Sequence, residues 1–454
     1  MSKISLIFLL TYAGGILGIF FLDASFGIYL YELEYFLAPK NRWWLSELPN
    51  LRYSFIIGIS TLIGFILRNK KYSANRLFDI PNFRWLIVFS INVSLVGFIA
   101  VWPEAHERIY TTFIKLILFV ILLYKLIDTP QKFERMIWAY LIGNFYIGYE
   151  AYSTGRSVAD RLEGIGPMDS TDSNDIGALL VACIPILIYY FIDGKKIWQK
   201  ALAAIILAFV LNAIVLVNSR GAFLGLIVSI LFQSYYIFFK KLKNTKFKFK
   251  MFAGLLCGIL LFLYLTDDTF WSRMSTLNDV NEEVVSESGV VVRGGGASRI
   301  YFWEKGLDLV QEYPLGVGAW GYQYLSPQFI PKEFLAEGRR TSHSTWIQAL
   351  TEYGYTGFIL FIGFLVSTFL MMMKLRKYLL SRNEYDLFFQ NVAITAGFIG
   401  FLVACTFIDR LYAETMYWFP AFMACFANIY YIQRHRSIVP KIESIAHETL
   451  PVEV

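Results

Sequence analysis

Charge is scarce in this chain of 454 residues: only 17% are Asp, Glu, Lys or Arg, against about a quarter in soluble domains. With 56% hydrophobic and 18% aromatic residues and a mean hydropathy of +0.50, a soluble globule has no way to hide so much apolar surface. Collagen-like and disordered compositions are excluded as well. Cysteine is sparse too. Cys183, Cys257, Cys405 and Cys425 all lie inside apolar runs and form no C-x-x-C pair, so a disulfide scaffold, thiol chemistry and a zinc site lack a basis. There are only four histidines. No P-loop, GxGxxG, H-E-x-x-H or serine-nucleophile motif occurs, which removes the usual grounds for ATP-driven transport and dinucleotide chemistry.

What is present is a series of long apolar runs. A membrane-crossing helix needs ~20 apolar residues, and twelve runs qualify, with cores near 4–21, 53–67, 85–101, 110–126, 134–149, 177–192, 202–217, 221–239, 251–265, 355–373, 387–407 and 417–432. The expected fold is an all-α polytopic membrane protein of about 12 transmembrane helices with one long external helical loop. The stretch Phe26–Leu37 is apolar but short and carries Glu32 and Glu34, so it is placed at the interface with Trp43 and Trp44. The start resembles a signal peptide, but the run is long and no small-residue cleavage site follows, so it is kept as the first span.

Placing the N-terminus in the cytoplasm puts 25 Lys and Arg on cytoplasmic segments and eight on short external ones. The positive-inside rule then sets the orientation. The net charge of +6 reads as this bias, and no nucleic-acid partner is expected. The domain reading is residues 1–265 with nine spans, an external loop at 266–354, three spans over 355–432, and a cytoplasmic tail at 433–454.

The external segment holds most of the polar sequence. Residues 276–297 are acidic and Gly-rich and read as a mobile stretch. Ser298 reads as the N-cap of a helix with Ile300, Trp303, Leu307 and Val310 on one face, ending at Pro314. A Gly-punctuated loop, PLGVGAWGYQYL, follows. A second helix begins around Ser342–Ser344 and reaches Gly354.

Few residues here can do chemistry. Arg220 sits in the tight external turn NSRG, where a guanidinium either grips a phosphate bidentately or anchors to lipid headgroups. Arg299 lies in the first turn of a helix, where a cation opposes the dipole; it makes sense there if an anion docks on the same N–H groups. His343 is the one histidine of the long loop. Close to a helix start, its imidazole stays neutral and can take a proton from a hydroxyl. Arg339 and Arg340 add positive field. The carboxylates Asp169, Asp172 and Asp175 lack EF-hand spacing and read as caps and turn residues rather than metal ligands.

Arginines and one histidine facing outward suit a substrate with a pyrophosphate headgroup and a lipid tail. In glycosyl transfer from such a lipid the leaving group needs charge compensation, and the acceptor hydroxyl needs a base. One base without a protein nucleophile implies a single inverting displacement.

Three segments carry a family likeness: NSRGAFLGL at 218–226, SRIYFWEKGLDLVQEYPLGVGAWGY at 298–322 and SHSTWIQALTEYGYTGF at 342–358. With them the chain resembles the bacterial O-antigen ligase/polymerase superfamily, although Ser344 stands where that family often has Asn. GPMDSTDSNDIGALLVACIPI at 166–186 is a weaker match. The resemblance implies a GT-C-like membrane glycosyltransferase of the bacterial inner membrane, active on the periplasmic side, that uses an undecaprenyl-pyrophosphate-linked glycan and neither metal nor cofactor. Arg220 and Arg299 then hold the pyrophosphate and His343 is the acceptor's base. Glu352 positions the helix bearing His343, and Asp409 orients or offsets these charges. The acceptor is first lipid A-core (a ligase), then another lipid-linked glycan (a polymerase), then a protein hydroxyl. A non-enzymatic flippase for lipid-linked oligosaccharide is the rival outside the class; it predicts ionisable residues near the bilayer midplane, where the spans are almost free of charge.

Overall fold

The computed structural model describes residues 1–37, 42–73, 75–156, 161–167, 169–170, 172–238, 245–275, 283–285, 291–293, 298–335 and 338–436. Helices dominate. In chain order they are α1 (Lys3–Phe21), α2 (Phe26–Leu37), α3 (Tyr53–Leu67), α4 (Pro81–Val96), α5 (Pro103–Leu126), α6 (Pro130–Thr154), α7 (Ser173–Asp193), α8 (Ile197–Val217), α9 (Arg220–Phe238) and α10 (Thr245–Leu265). Then come α11 (Asp268–Ser275), α12 (Ser298–Glu312), α13 (Gly321–Leu325), α14 (Thr345–Ser381), α15 (Tyr385–Ala404) and α16 (Glu414–Ala427). The described strands form one antiparallel ribbon, β1 (Glu283–Val285) with β2 (Val291–Arg293), in register Val284 to Val292.

Each predicted span core coincides with helical residues to within a residue or two. Among the described residues, however, nine helices rather than twelve are both long and apolar enough to cross a membrane. The other three fall short for separate reasons. Helix α3 has 15 residues. Helix α6 is long but carries Lys132, Glu134, Arg135 and Glu150. Helix α16 has 14 residues and passes into a π turn at Asn428–Ile432.

The bundle closes around α7 and α15, whose residues are mostly buried. Small residues let the backbones touch, as they must where lipid gives no hydrophobic incentive to associate. A Cβ on Gly397 would stand 2.1 Å from the Ala182 carbonyl oxygen, and one on Gly225 would stand 2.4 Å from that of Gly400.

Three expectations need correction. The first and last described residues, both placed in the cytoplasm from the sequence, lie at opposite ends of the bundle: Ser2 N–H donates to Glu47 at 2.6 Å and Phe8 packs on Trp44 and Tyr53, at the end where Arg42 donates to the Ile165 carbonyl, whereas the far end of α1 sits where Asp23 pairs with Lys132 and Gln433 donates to the Asp128 carbonyl at 3.2 Å. Helix α2 is not interfacial: Ile28, Glu32 and Phe36 are fully buried, as is Trp44, while Trp43 alone of the tryptophan pair is exposed. A short apolar helix that carries acids is accommodated inside the bundle, where Tyr31 and Tyr35 also find polar partners. The face of α12 is also rotated. Phe302, Leu309 and Val310 are buried, whereas Ile300 and Leu307 are exposed. Gly306 sets this register, because its missing side chain lets α12 lie against Ile347 of α14, 2.3 Å from where a Cβ would be. Ser298 is the first helical residue rather than the cap, and the position before it lies outside the described residues. Most of the stretch 276–297 and the tail from 437 onward lie outside them as well.

The segment between α11 and α14 has its own small core of Phe302, Leu309, Val317, Tyr322, Leu325 and Ile330. It docks on α14 where that helix kinks. Gly354 has φ +65, a conformation that costs a side chain dearly, and the break lets Val317 N–H and Gly318 N–H donate to the carbonyls of Thr351 and Glu352 at 3.0 and 2.9 Å.

Candidate active site

A cavity of about 520 Å³ opens beside the start of α14. Its lining includes Arg299, His343, Glu352 and Asp409, together with Asp169, Asp172 and Asp175. The turn Ser342-His343-Ser344 enters it, with His343 itself in the left-handed region at φ 51. Asp409 fixes that turn. One carboxylate oxygen accepts from His343 N–H at 3.0 Å. The other accepts from the Ser342 hydroxyl at 2.6 Å and from Ser344 N–H at 3.1 Å. A negative group at the N-terminus of α14 is also favoured by that helix's dipole. The imidazole leans on Phe302, with ring centroids 6.2 Å apart. Its Nε2 is buried and has no hydrogen-bond partner among the described residues.

Burial holds the imidazole below its ordinary pKa; Asp409 pushes back, and Arg340 and Arg299 push the same way as burial. The sequence expectation of a neutral imidazole stands, but its main cause is burial rather than the helix dipole.

Arg299 extends from the first turn of α12. Its guanidinium lies 6.0 Å from the Phe407 ring, and no hydrogen bond or ion pair holds it among the described residues. Burial, with Arg220 and Arg161 nearby, pulls its pKa down to about 10. It therefore stays charged at neutral pH but in a strained electrostatic setting that an anion would relieve. Arg220 begins α9, directly after Asn218 in the left-handed region at φ 52. Its charge acts on Arg299, Arg161 and Arg273, the last two being arginines that sequence reasoning did not single out; of these four, Arg299 lines the cavity.

Of the pair after Gly338, Arg340 lies over the Phe302 ring at 5.0 Å and close enough to His343 to affect its charge. Arg339 stacks on Trp102 at 4.3 Å and is not part of the cavity lining. Glu352 is buried. It accepts from Trp320 N–H at 3.0 Å and from Gln348 at 3.3 Å, and Tyr412 donates to its other oxygen. It thus joins the Gly-rich loop, α14 and the segment before α16.

The acidic set acts as caps and ion-pair partners. Asp172 caps α7 by accepting from Asn174 N–H at 2.7 Å. Arg410 is buried and reaches Asp175 at 3.3 Å and Asp169 at 3.4 Å. Burial works against its charge, but Asp175 and Asp169 more than offset that and hold the guanidinium above its usual range. Arg410 is not among the residues singled out from the sequence. Its neighbour Asp409 was the available signal, since a charged pair in a short turn between two apolar runs is unusual.

The cavity therefore sets a nitrogen base beside Arg299 and the ion-paired Arg410, among the carboxylates Asp169, Asp172, Asp175, Glu352 and Asp409. No curated protein matches the chain. Residues 205–362, the stretch that holds Arg220, Arg299, His343 and Glu352, match the family model for O-antigen ligase.

Proposed function

We propose that this chain is a membrane glycosyltransferase that moves a glycan from undecaprenyl pyrophosphate to an acceptor hydroxyl at the periplasmic face of the bacterial inner membrane, with the C-terminal end of α16 on the cytoplasmic side. The observation that carries the reading is the buried Nε2 of His343, without a hydrogen-bond partner among the described residues, in one cavity with Arg299. With the ring proton on Nδ1, Nε2 takes the proton of the acceptor hydroxyl. The hydroxyl oxygen bonds to the anomeric carbon, and the bond from that carbon to the pyrophosphate oxygen breaks. The leaving oxygen departs with the electron pair toward Arg299 and Arg220, which compensate its charge. A single displacement inverts the anomeric centre. Asp409 acts as a positioning residue, because it holds the backbone on both sides of the base.

Lipid A-core is the acceptor we put first, as in a ligase. A second lipid-linked glycan or a protein hydroxyl uses the same groups. The flippase reading draws on Glu32, which is fully buried with neither carboxylate oxygen hydrogen-bonded among the described residues. A direct test separates them. Purified protein in nanodiscs, given an undecaprenyl-pyrophosphate glycan and lipid A-core without nucleotide, should release undecaprenyl pyrophosphate and form the conjugate. Glycan lipid that crosses the bilayer unchanged, with no pyrophosphate lipid released, would overturn the enzymatic reading.

A further inference from the structure

We propose that Arg161 is a third guanidinium of the diphosphate site, supplied by the loop ahead of α7 and held there by Asn174. The inference rests on the reading that Arg220 and Arg299 take a diphosphate. Its geometry is independent of that reading. Leu162 N–H donates to the Leu216 carbonyl at 3.1 Å, which ties the loop to the end of α8. The Arg161 side chain then spans the gap to α7: Nε donates to the Val217 carbonyl at 3.3 Å and Nη2 to Asn174 Oδ1 at 2.9 Å. The same Asn174 oxygen accepts from the Ser219 hydroxyl at 2.9 Å, so one amide fixes Arg161 and the residue just before Arg220 together. Asn174 lines the cavity.

A guanidinium offers five N–H donors. Two are used here, and no partner holds the remaining three among the described residues. Burial disfavours its charge, Asp172 and Glu163 offset that only in part, and Arg220 adds to the burial effect. Like charges gathered in a half-buried place are costly unless an anion joins them. A diphosphate offers more oxygens than two forks can satisfy, and it gains negative charge as the glycosyl bond breaks. A third fork therefore favours the departing group over the intact donor.

The test compares farnesyl diphosphate with farnesyl monophosphate as ligands for the protein in nanodiscs. The wild type should prefer the diphosphate, and Arg161→Gln should cut that preference about tenfold, the size of one charge-assisted contact, with an unchanged melting temperature. Arg161→Lys, which keeps a charge without the fork, serves if the Gln variant does not fold; a reduced preference with an unaltered melting temperature supports the proposal. Arg220→Gln and Arg299→Gln report on the parent reading. A preference that falls in those two but not in the Arg161 variants overturns this proposal alone. No change in any of them overturns both. Parallel weakening of both ligands with a lowered melting temperature marks Arg161 as a structural brace and also overturns the proposal.

Discussion

Replacing Asp409 with asparagine tests how the base is held. The carboxylate accepts two backbone N–H bonds and one hydroxyl bond from the turn that carries His343. An asparagine keeps one acceptor oxygen and turns an NH₂ toward a backbone donor, so at least one charge-assisted bond is lost. Such a bond is worth about 1.5–3 kcal/mol, and where it sets transition-state geometry that becomes roughly ten- to 150-fold in rate. The pH dependence carries a second signature. His343 works as a base when neutral, so activity falls as the pH drops through its pKa, which burial places below 6.5. Asp409 raises that pKa; without its charge the imidazole protonates at still lower pH. The acid limb of the pH–rate profile of glycan transfer should therefore move down while the plateau drops. Full activity, or an acid limb displaced upward, would refute the assignment of Asp409 as the residue that seats and tunes the base.

Removing the imidazole with His343→Ala should abolish transfer with melting temperature and membrane insertion unchanged; normal turnover in the same assay would dismiss the base. Arg299→Lys should lose most activity, since a point charge cannot replace a bidentate fork, and a fully active variant counts against pyrophosphate binding. Arg410→Met strips the buried partner from Asp169 and Asp175, which should cost about 3–5 kcal/mol and appear as a lowered melting temperature. Transfer should persist in EDTA, and a strict need for a divalent ion would point back to Asp169, Asp172 and Asp175.

Hydropathy made the spans legible because lipid demands apolar runs of a set length, and each predicted core coincides with a helix. It failed at α2, where a short acidic helix is sheltered by its neighbours, a matter of packing that no window of residues reports. It failed also on α12, where Gly306 rather than the largest side chains chooses the buried face. For the site, sequence reasoning and family likeness singled out Arg220, Arg299 and His343; Arg299 shares the cavity with His343 and feels the charge of Arg220. Arg161 and Arg410 escaped because their roles depend on partners far along the chain, Asn174 and Ser219 for one and the acids ahead of α7 for the other. Asp409 was visible as a residue but not as the clamp on a turn 66 positions earlier.

That long reach has a consequence during synthesis. Ribosomes release His343 well before Asp409, which follows the α15 segment. A nascent chain halted between the two carries its imidazole on a turn without its carboxylate clamp, so the turn takes its final shape only after the residues that follow α15 have been made.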